Sequence, residues 1–233
     1  MDKSTISVGV IGTGWVAGAH VDNFRKLTGC SIVAICSRKK SRALDFIREQ
    51  NISNAKGYGR LADFLKHDGL DVVVICTPHP NHPRETIAAA RAGKHIVIEK
   101  PVALNPEDLR RMVTAVNKAK VKTSVCFELR WIGLFRNIKA MLGQDLIGNL
   151  YYGETSYFHG IGPWYPQYGW NIKKSMGGDA LLTAGCHALD GLLWLMGSRA
   201  VEVSAMSNTS PKNPLKYEYD PNSVAIVKLA SGA

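Results

Sequence analysis

Along the first half of the chain, short and almost wholly apolar runs alternate with stretches whose apolar residues return every three or four positions. The runs Ser4 to Ile11, Ser31 to Cys36, Val72 to Cys76 and His95 to Glu99 read as buried strands. Between them, Val16 to Leu27, Ser41 to Gln50, Leu61 to His67 and the Ala-rich Arg84 to Ala92 read as helices, the last ended by Gly93. Asn105-Pro106-Glu107 supplies an N-cap, a proline at the first helical position and an acidic first turn, opening a helix to about Ala119. Thr123 to Phe127 closes the series as its last strand. Continuous apolar strands belong to a parallel sheet covered on both faces, and right-handed crossovers leave the doubly wound α/β fold as the expected architecture.

Past this point the texture changes. A helix is expected around Phe135 to Leu142, a stop at Gly148, a β-like stretch from Leu150 to Phe158 and an irregular aromatic segment from His159 to Trp170. Ala180 to Leu195 reads as a long apolar helix ended by Gly197, followed by strand-like Val201 to Met206 and Val224 to Leu229. The expected division is a Rossmann domain over residues 1–128 and an α+β domain with an open mixed or antiparallel sheet over 129–233. Ser231-Gly232-Ala233 is a turn signal with no return strand, so the second domain is expected to be incomplete.

The 233 residues are 45% hydrophobic and 21% charged, an ordinary globular composition. Nothing resembles a leader or a membrane span, which makes the cytoplasm the expected compartment. Five dispersed cysteines without a Cys-x-x-Cys pair read as reduced core residues. The net charge of +10 favours anionic ligands, yet the basic residues are spread along helices without interleaved aromatics, which argues against nucleic acid.

Gly12-Thr13-Gly14-Trp15-Val16-Ala17 follows the first strand and opens the first helix, matching G-x-G-x-x-A. The first glycine permits the turn, the second admits a pyrophosphate, and Ala17 allows close helix packing. Where an NAD site usually ends its second strand in Asp or Glu, this chain has Cys36-Ser37-Arg38. Ser37, Arg38 and Arg42 suit a 2′-phosphate, so NADP is favoured over NAD, with adenine stacking by Arg38 the alternative. Thr77-Pro78-His79-Pro80-Asn81-His82-Pro83 is expected to pass along the cofactor, with Asn81 or His82 capping the next helix. Its two histidines lack a completing Cys, Asp or Glu, so no metal is expected.

Two blocks carry candidate chemistry. Glu99-Lys100-Pro101 ends a central strand, where ligands bind in open α/β sheets. Lys100 suits proton exchange with a substrate hydroxyl, unless it merely pairs with Glu99; both residues would border the cofactor. Gly177-Gly178 leads to Thr183, His187 and Asp190, spaced i, i+4, i+7 on one helical face. A histidine with a carboxylate one turn away suits acid-base work, the plain alternative being a satisfied core histidine. Glu128 and Arg130 are candidates to line a substrate cleft. So are the aromatics Trp164, Tyr165, Tyr168 and above all Trp170, because aromatic faces suit pyranose rings.

Taken together, the glycine turn, Glu99-Lys100-Pro101 and the Gly-Gly block leading to His187 and Asp190 resemble the Gfo/Idh/MocA oxidoreductase family, which includes inositol, glucose and anhydrosugar dehydrogenases. The resemblance implies Lys100 and His187 as catalytic pair, with the nicotinamide between them, and a cis peptide at Lys100-Pro101. It also implies further strands in the complete second domain. Many relatives carry Asp four residues before the histidine; Thr183 stands there in this chain and supplies no charge. The implied reaction is hydride transfer between a nicotinamide cofactor and a CH-OH group of a cyclic polyol, sugar or sugar derivative, with a homo-oligomer formed through the second sheet. A redox-assisted glycosidase and a non-catalytic dinucleotide-binding sensor remain alternatives.

Overall fold

The computed structural model describes residues 5–233, so the start of the first predicted strand, Ser4, lies outside the described residues. The chain divides into two compact units between Cys126 and Phe127. In the first, the elements are β1 (Ile6–Ile11), α1 (Trp15–Arg25), β2 (Cys30–Cys36), α2 (Lys40–Glu49), β3 (Lys56–Tyr58), α3 (Leu61–Leu65), β4 (Val72–Ile75), α4 (His82–Arg91), β5 (His95–Ile98), α5 (Pro106–Ala119) and β6 (Thr123–Val125).

The six strands form one parallel sheet in the order β3-β2-β1-β4-β5-β6. Val8, Val10, Val73 and Val74 have no solvent exposure, as expected of strands with helices on both faces. Phe64, Leu70, Ile75 and Ile96 fill one side of the sheet; Val21, Ile35, Ala43 and Phe46 fill the other. The order reverses between β1 and β4, so the loops after these strands diverge and leave the crevice where ligands bind in such sheets. α5 starts as its sequence dictates: the Asn105 side chain accepts from the Asp108 N–H at 2.8 Å, with Pro106 in the first turn. β3 went unmarked by the hydrophobic pattern because three residues, Lys-Gly-Tyr, are too few to show a period.

The second unit contains α6 (Gly133–Gly143), α7 (Tyr168–Asn171), α8 (Lys174–Gly177), α9 (Cys186–Met196) and the antiparallel pair β7 (Ala200–Asn208) and β8 (Asn222–Leu229). α9 ends on Gly197 at φ +66°, and Lys139 of α6 donates to the last-turn carbonyls of Trp194 and Leu195 at 2.6 and 3.3 Å. Two expectations are corrected. The stretch Leu150 to Phe158 is not a strand: among the described residues β7 and β8 pair with each other, and without a neighbour to share its hydrogen bonds this segment stays irregular and exposed. The helix expected over Ala180 to Leu195 is α-helical only from Cys186; Leu181–Gly185 form a π-helical turn. Apolar periodicity does not distinguish that widened turn from a regular one. Among the described residues no helix is long and apolar enough to cross a membrane.

Candidate functional site

The loop from β1 into α1 has the features of a phosphate cradle. Gly12 has φ +105°, and a Cβ there would stand 2.6 Å from the Cys76 carbonyl oxygen, so only glycine lets the ends of β1 and β4 come this close. A Cβ at Gly14 would meet nothing within 4 Å, and no side chain caps α1 at this residue. The Ala17 N–H donates to the Gly14 carbonyl at 3.1 Å, and the positive end of the helix faces the open space beside Gly14, which suits a dinucleotide pyrophosphate. Ala17 is fully buried against the sheet, while Thr13 and Val16 are half-buried and Trp15 is exposed. At the end of β2, Ser37 Oγ lies 3.4 Å from Thr13 Oγ1. Arg38 is exposed, but Arg42 is held by Glu49 at 2.8 Å.

The loop after β4 differs from its expected role. Asn81 occupies the N-cap position of α4 but makes no capping bond with its side chain, and His82 is the helix's first residue, not its cap. A short 3₁₀ turn, His79–Asn81, leads into the helix, and Pro83 in its first turn has no N–H to cap. His79 and His82 are buried, and the His82 ring nitrogens face the Thr77 carbonyl at 2.8 Å and the Pro101 carbonyl at 2.9 Å. His82 is thus a strap between the loops after β4 and β5. Its ring is enclosed, which corrects the expected direct contact with a cofactor. Half-buried Pro78 continues the loop, and the Thr77 hydroxyl donates to the buried Glu85 carboxyl at 2.5 Å. Burial raises that carboxyl's pKa against the opposing bond from Thr77.

Lys100 follows β5, and the Lys100-Pro101 peptide is cis. Glu99 turns back to His20 on α1, Nε2 to Oε1 2.7 Å, and accepts from the Lys100 backbone N–H at 3.3 Å. Burial alone would raise the Glu99 carboxyl; the bond from His20 and the charges of His20 and Lys100 outweigh it and hold it below the ordinary range. Cys126 Sγ lies 3.9 Å from His20 Nε2, and its thiol is pushed up to about 12 by burial and then by Glu99. The ligand atoms of His20, Glu99 and Cys126 lie within 4.8 Å of one another. The His20 to Glu99 distance is nevertheless that of a hydrogen bond; two ligands of one tetrahedral zinc stand about 3.3 Å apart.

In the second unit, Gly177 is forced by a close approach, since a Cβ there would lie 2.0 Å from the Asn171 carbonyl oxygen. Asp179 caps the turn that follows, accepting from Leu182 N–H at 2.7 Å. Buried Thr183 donates its hydroxyl to the Gly177 carbonyl at 2.7 Å, tying the Gly-Gly entry to the π turn. His187, buried in the first turn of α9, stacks with Tyr157 at 5.9 Å and 29° and meets Phe127 edge-on at 6.3 Å and 85°. Glu128 Oε1 lies 3.9 Å from His187 Nε2. Asp190 is clasped by Arg130 through two bonds of 2.8 and 2.6 Å. The expected support of His187 by Asp190 is thereby corrected: Asp190 and the guanidinium of Arg130 bind each other, because the planar fork matches a carboxylate edge. Trp170 and Tyr168 are half-buried on α7, and Tyr165 reaches the Tyr157 ring through His159.

These features are matched by two family models. That of an oxidoreductase family with an NAD-binding Rossmann fold covers residues 6–127, and that of the GFO/IDH/MocA C-terminal domain covers residues 135–233. The chain belongs to the Gfo/Idh/MocA family. Its relatives include 1,5-anhydro-D-fructose reductase of Ensifer adhaerens, 27% identical over 205 residues that cover 87% of this chain and 60% of that protein. D-glucoside 3-dehydrogenase of Escherichia coli is 27% identical over 206 residues, covering 87% of this chain and 57% of that one. The crystal structure of an NAD binding oxidoreductase from Klebsiella pneumoniae matches with a TM-score of 0.83 at 26% identity, covering 99% of this chain and 65% of its own. The chain spans about half the length of the curated relatives it matches.

For this Gfo/Idh/MocA chain, sequence reading passes over His20, Cys126, Phe127 and Tyr157. His20 carries a signal in retrospect: it lies three residues past Ala17, on the same stretch of helix that packs on the sheet. Tyr157 carries none, for it sits in an irregular segment whose course no local pattern dictates.

Proposed function

We propose that the protein containing this chain is an NAD(P)-dependent oxidoreductase acting on a CH-OH group of a cyclic polyol, sugar or sugar derivative. The observation that carries the reading is Lys100 at the carboxyl end of β5, two strands from the phosphate cradle, preceded by a carboxylate that His20 holds ionised. A bound nicotinamide supplies the hydride acceptor or donor. Gly12, Thr13, Gly14, Trp15 and Val16 hold the pyrophosphate, and Thr77 and Pro78 border the dinucleotide. Lys100 binds the substrate hydroxyl and exchanges its proton, and His187 is the second proton-handling group. The sugar-directed names of the two curated relatives support the substrate class.

The finer reading of the cofactor is NADP. No acid ends β2; Ser37 and exposed Arg38 stand there instead, and Lys40, Lys56 and Arg60 line a nearby concavity with Asp63 as its one acid. A homo-oligomer through the second sheet is supported by its bare apolar residues, Val203, Met206, Val224 and Ile226, each 60% exposed or more. The cytoplasm is the compartment proposed.

The test is a panel of polyols, aldoses and glycosides offered with NAD⁺ and NADP⁺, followed at 340 nm. Lys100→Met is expected to remove turnover by several orders of magnitude while dinucleotide affinity persists. Unchanged turnover in that variant overturns the assignment. Glycoside cleavage without net absorbance change replaces it with the redox-assisted glycosidase, and tight dinucleotide binding without turnover with the sensor.

A further inference from the structure

The groups spaced along the helix to support His187 are bonded elsewhere: Thr183 donates to the Gly177 carbonyl, and Asp190 is clasped by Arg130. What reaches His187 comes from a different part of the unit. Glu128 opens the 3₁₀ turn Glu128–Trp131, and the same turn carries Arg130. The two-pronged Arg130–Asp190 pair therefore anchors this turn to α9, one turn beyond His187. That places Glu128 beside the imidazole although its side chain is 68% exposed while that of His187 is 5% exposed. Phe127 packs its edge against the ring and Tyr157 stacks on it, so the ring plane is fixed with Nε2 toward Glu128 Oε1 at 3.9 Å. This separation is too long for a direct hydrogen bond but within ion-pair range, and it closes with a small rotation of an exposed side chain.

Other charged and titratable groups stand near His187 among the described residues. Arg130 lies 5.9 Å over the Phe127 ring with its charge matched by Asp190. Tyr157 is held above its ordinary pKa by burial and by Glu128, Cys186 and Tyr165, which leaves it a neutral phenol. Cys186 adjoins His187 in the chain, and His159 lies behind Tyr157. Glu128 places a carboxylate within ion-pair range of His187, where it is able to balance a proton on the ring.

We propose that Glu128 is a positioning residue that pairs with His187 and stabilises its protonated form, with Phe127 and Tyr157 fixing the ring. The pair lets His187 hold the proton released as a substrate hydroxyl is oxidised, and return it in the reverse direction. This rests on the proposed dehydrogenase reading for its consequence, but the pairing itself is measured without substrate.

The experiment is an NMR titration of ring-labelled histidine in the protein, with the His187 signal assigned by its loss in His187→Asn. Glu128→Gln is expected to lower the His187 pKa by about one unit, in line with the effect of an opposite charge at this range. Glu128→Asp should restore part of the shift, and Glu154→Gln, which removes a carboxylate bonded to Tyr152, should leave His187 unmoved. With a substrate in hand, the acid limb of kcat/KM should move with the NMR value. A His187 titration equal in wild type and Glu128→Gln overturns the pairing, as does an equal shift in Glu154→Gln. If wild type turns nothing over, the function reading fails while the titration still decides this one.

Discussion

The His82 ring faces the Pro101 carbonyl across 2.9 Å from a position with no solvent exposure. Its other nitrogen faces the Thr77 carbonyl, so one side chain fastens the loop that ends in Thr77 to the loop that carries Lys100. Burial lowers the ring's pKa, and the two carbonyls oppose this without reversing it. A neutral imidazole has one N–H and satisfies one carbonyl at a time.

His82→Gln should therefore lose about 2–3 kcal/mol at pH 7.5, from a misfitted buried side chain and a weakened bond. The folded pKa lies below the unfolded one, so wild type is favoured above the unfolded value near 6.5 and loses stability as pH falls through it, by at most about 1.4 kcal/mol per unit. The glutamine variant has no such proton to take up. Denaturation between pH 7.5 and 5.0 should show the gap between the two proteins narrowing toward acid; a gap independent of pH refutes the neutral buried ring.

Gly12 and Gly14 should respond to alanine in opposite ways. At Gly12 a methyl group meets the Cys76 carbonyl at 2.6 Å with φ at +105°, so the fold should lose about 2–4 kcal/mol. At Gly14 the methyl meets no protein atom within 4 Å, so thermal stability should hold while dinucleotide affinity falls at least tenfold. Melting curves with and without dinucleotide separate the two. Loss of stability without loss of affinity at Gly14 would remove it from the cradle.

What the sequence makes legible here follows the range of the interaction. Strands such as Val72–Ile75, the glycine turn and the Asn105 cap are specified by neighbours in the chain, and all three are read correctly from pattern alone. His20 and Glu99 meet across 79 positions, and Arg130 and Asp190 across 60. No periodicity encodes such meetings. Thr183, His187 and Asp190 are instructive because their spacing is correct for one helical face, yet Thr183 lies within a π turn, His187 follows it, and Asp190 is taken by a guanidinium from outside the helix. Spacing shows which residues are able to share a face, and long-range partners decide what each one bonds.

The cysteines give a prediction in alkali. Burial, then the nearby carboxylates Glu85 and Glu99 respectively, push the thiols of Cys36 and Cys126 from an ordinary 9.0 up to about 12. Folded thiols keep their protons where unfolded ones release them. Stability is present in full below pH 9 and falls between about 9 and 12, by about 1.4 kcal/mol per pH unit for each group. At pH 8 both thiols should resist iodoacetamide until denaturant is added, as read by mass spectrometry of peptides. Rapid labelling of either in the native protein contradicts its raised pKa.

Arg130 and Asp190 test what carboxylate support at α9 means. If Asp190 serves by anchoring the turn that bears Glu128, then Arg130→Ala and Asp190→Asn should have similar effects, and the double variant should be little worse than either. The Asp190 side chain is 11% exposed and Arg130 43% exposed, so screening limits their coupling to about 1 kcal/mol despite the two-pronged geometry. Direct support of His187 by Asp190 predicts another result: Asp190→Asn would shift the His187 titration strongly, and Arg130→Ala would not. A double-mutant cycle on stability, read beside the His187 titration in each single variant, distinguishes the two. Equal, modest shifts in both variants fit the anchor, because releasing the turn from either side frees Glu128 to move away.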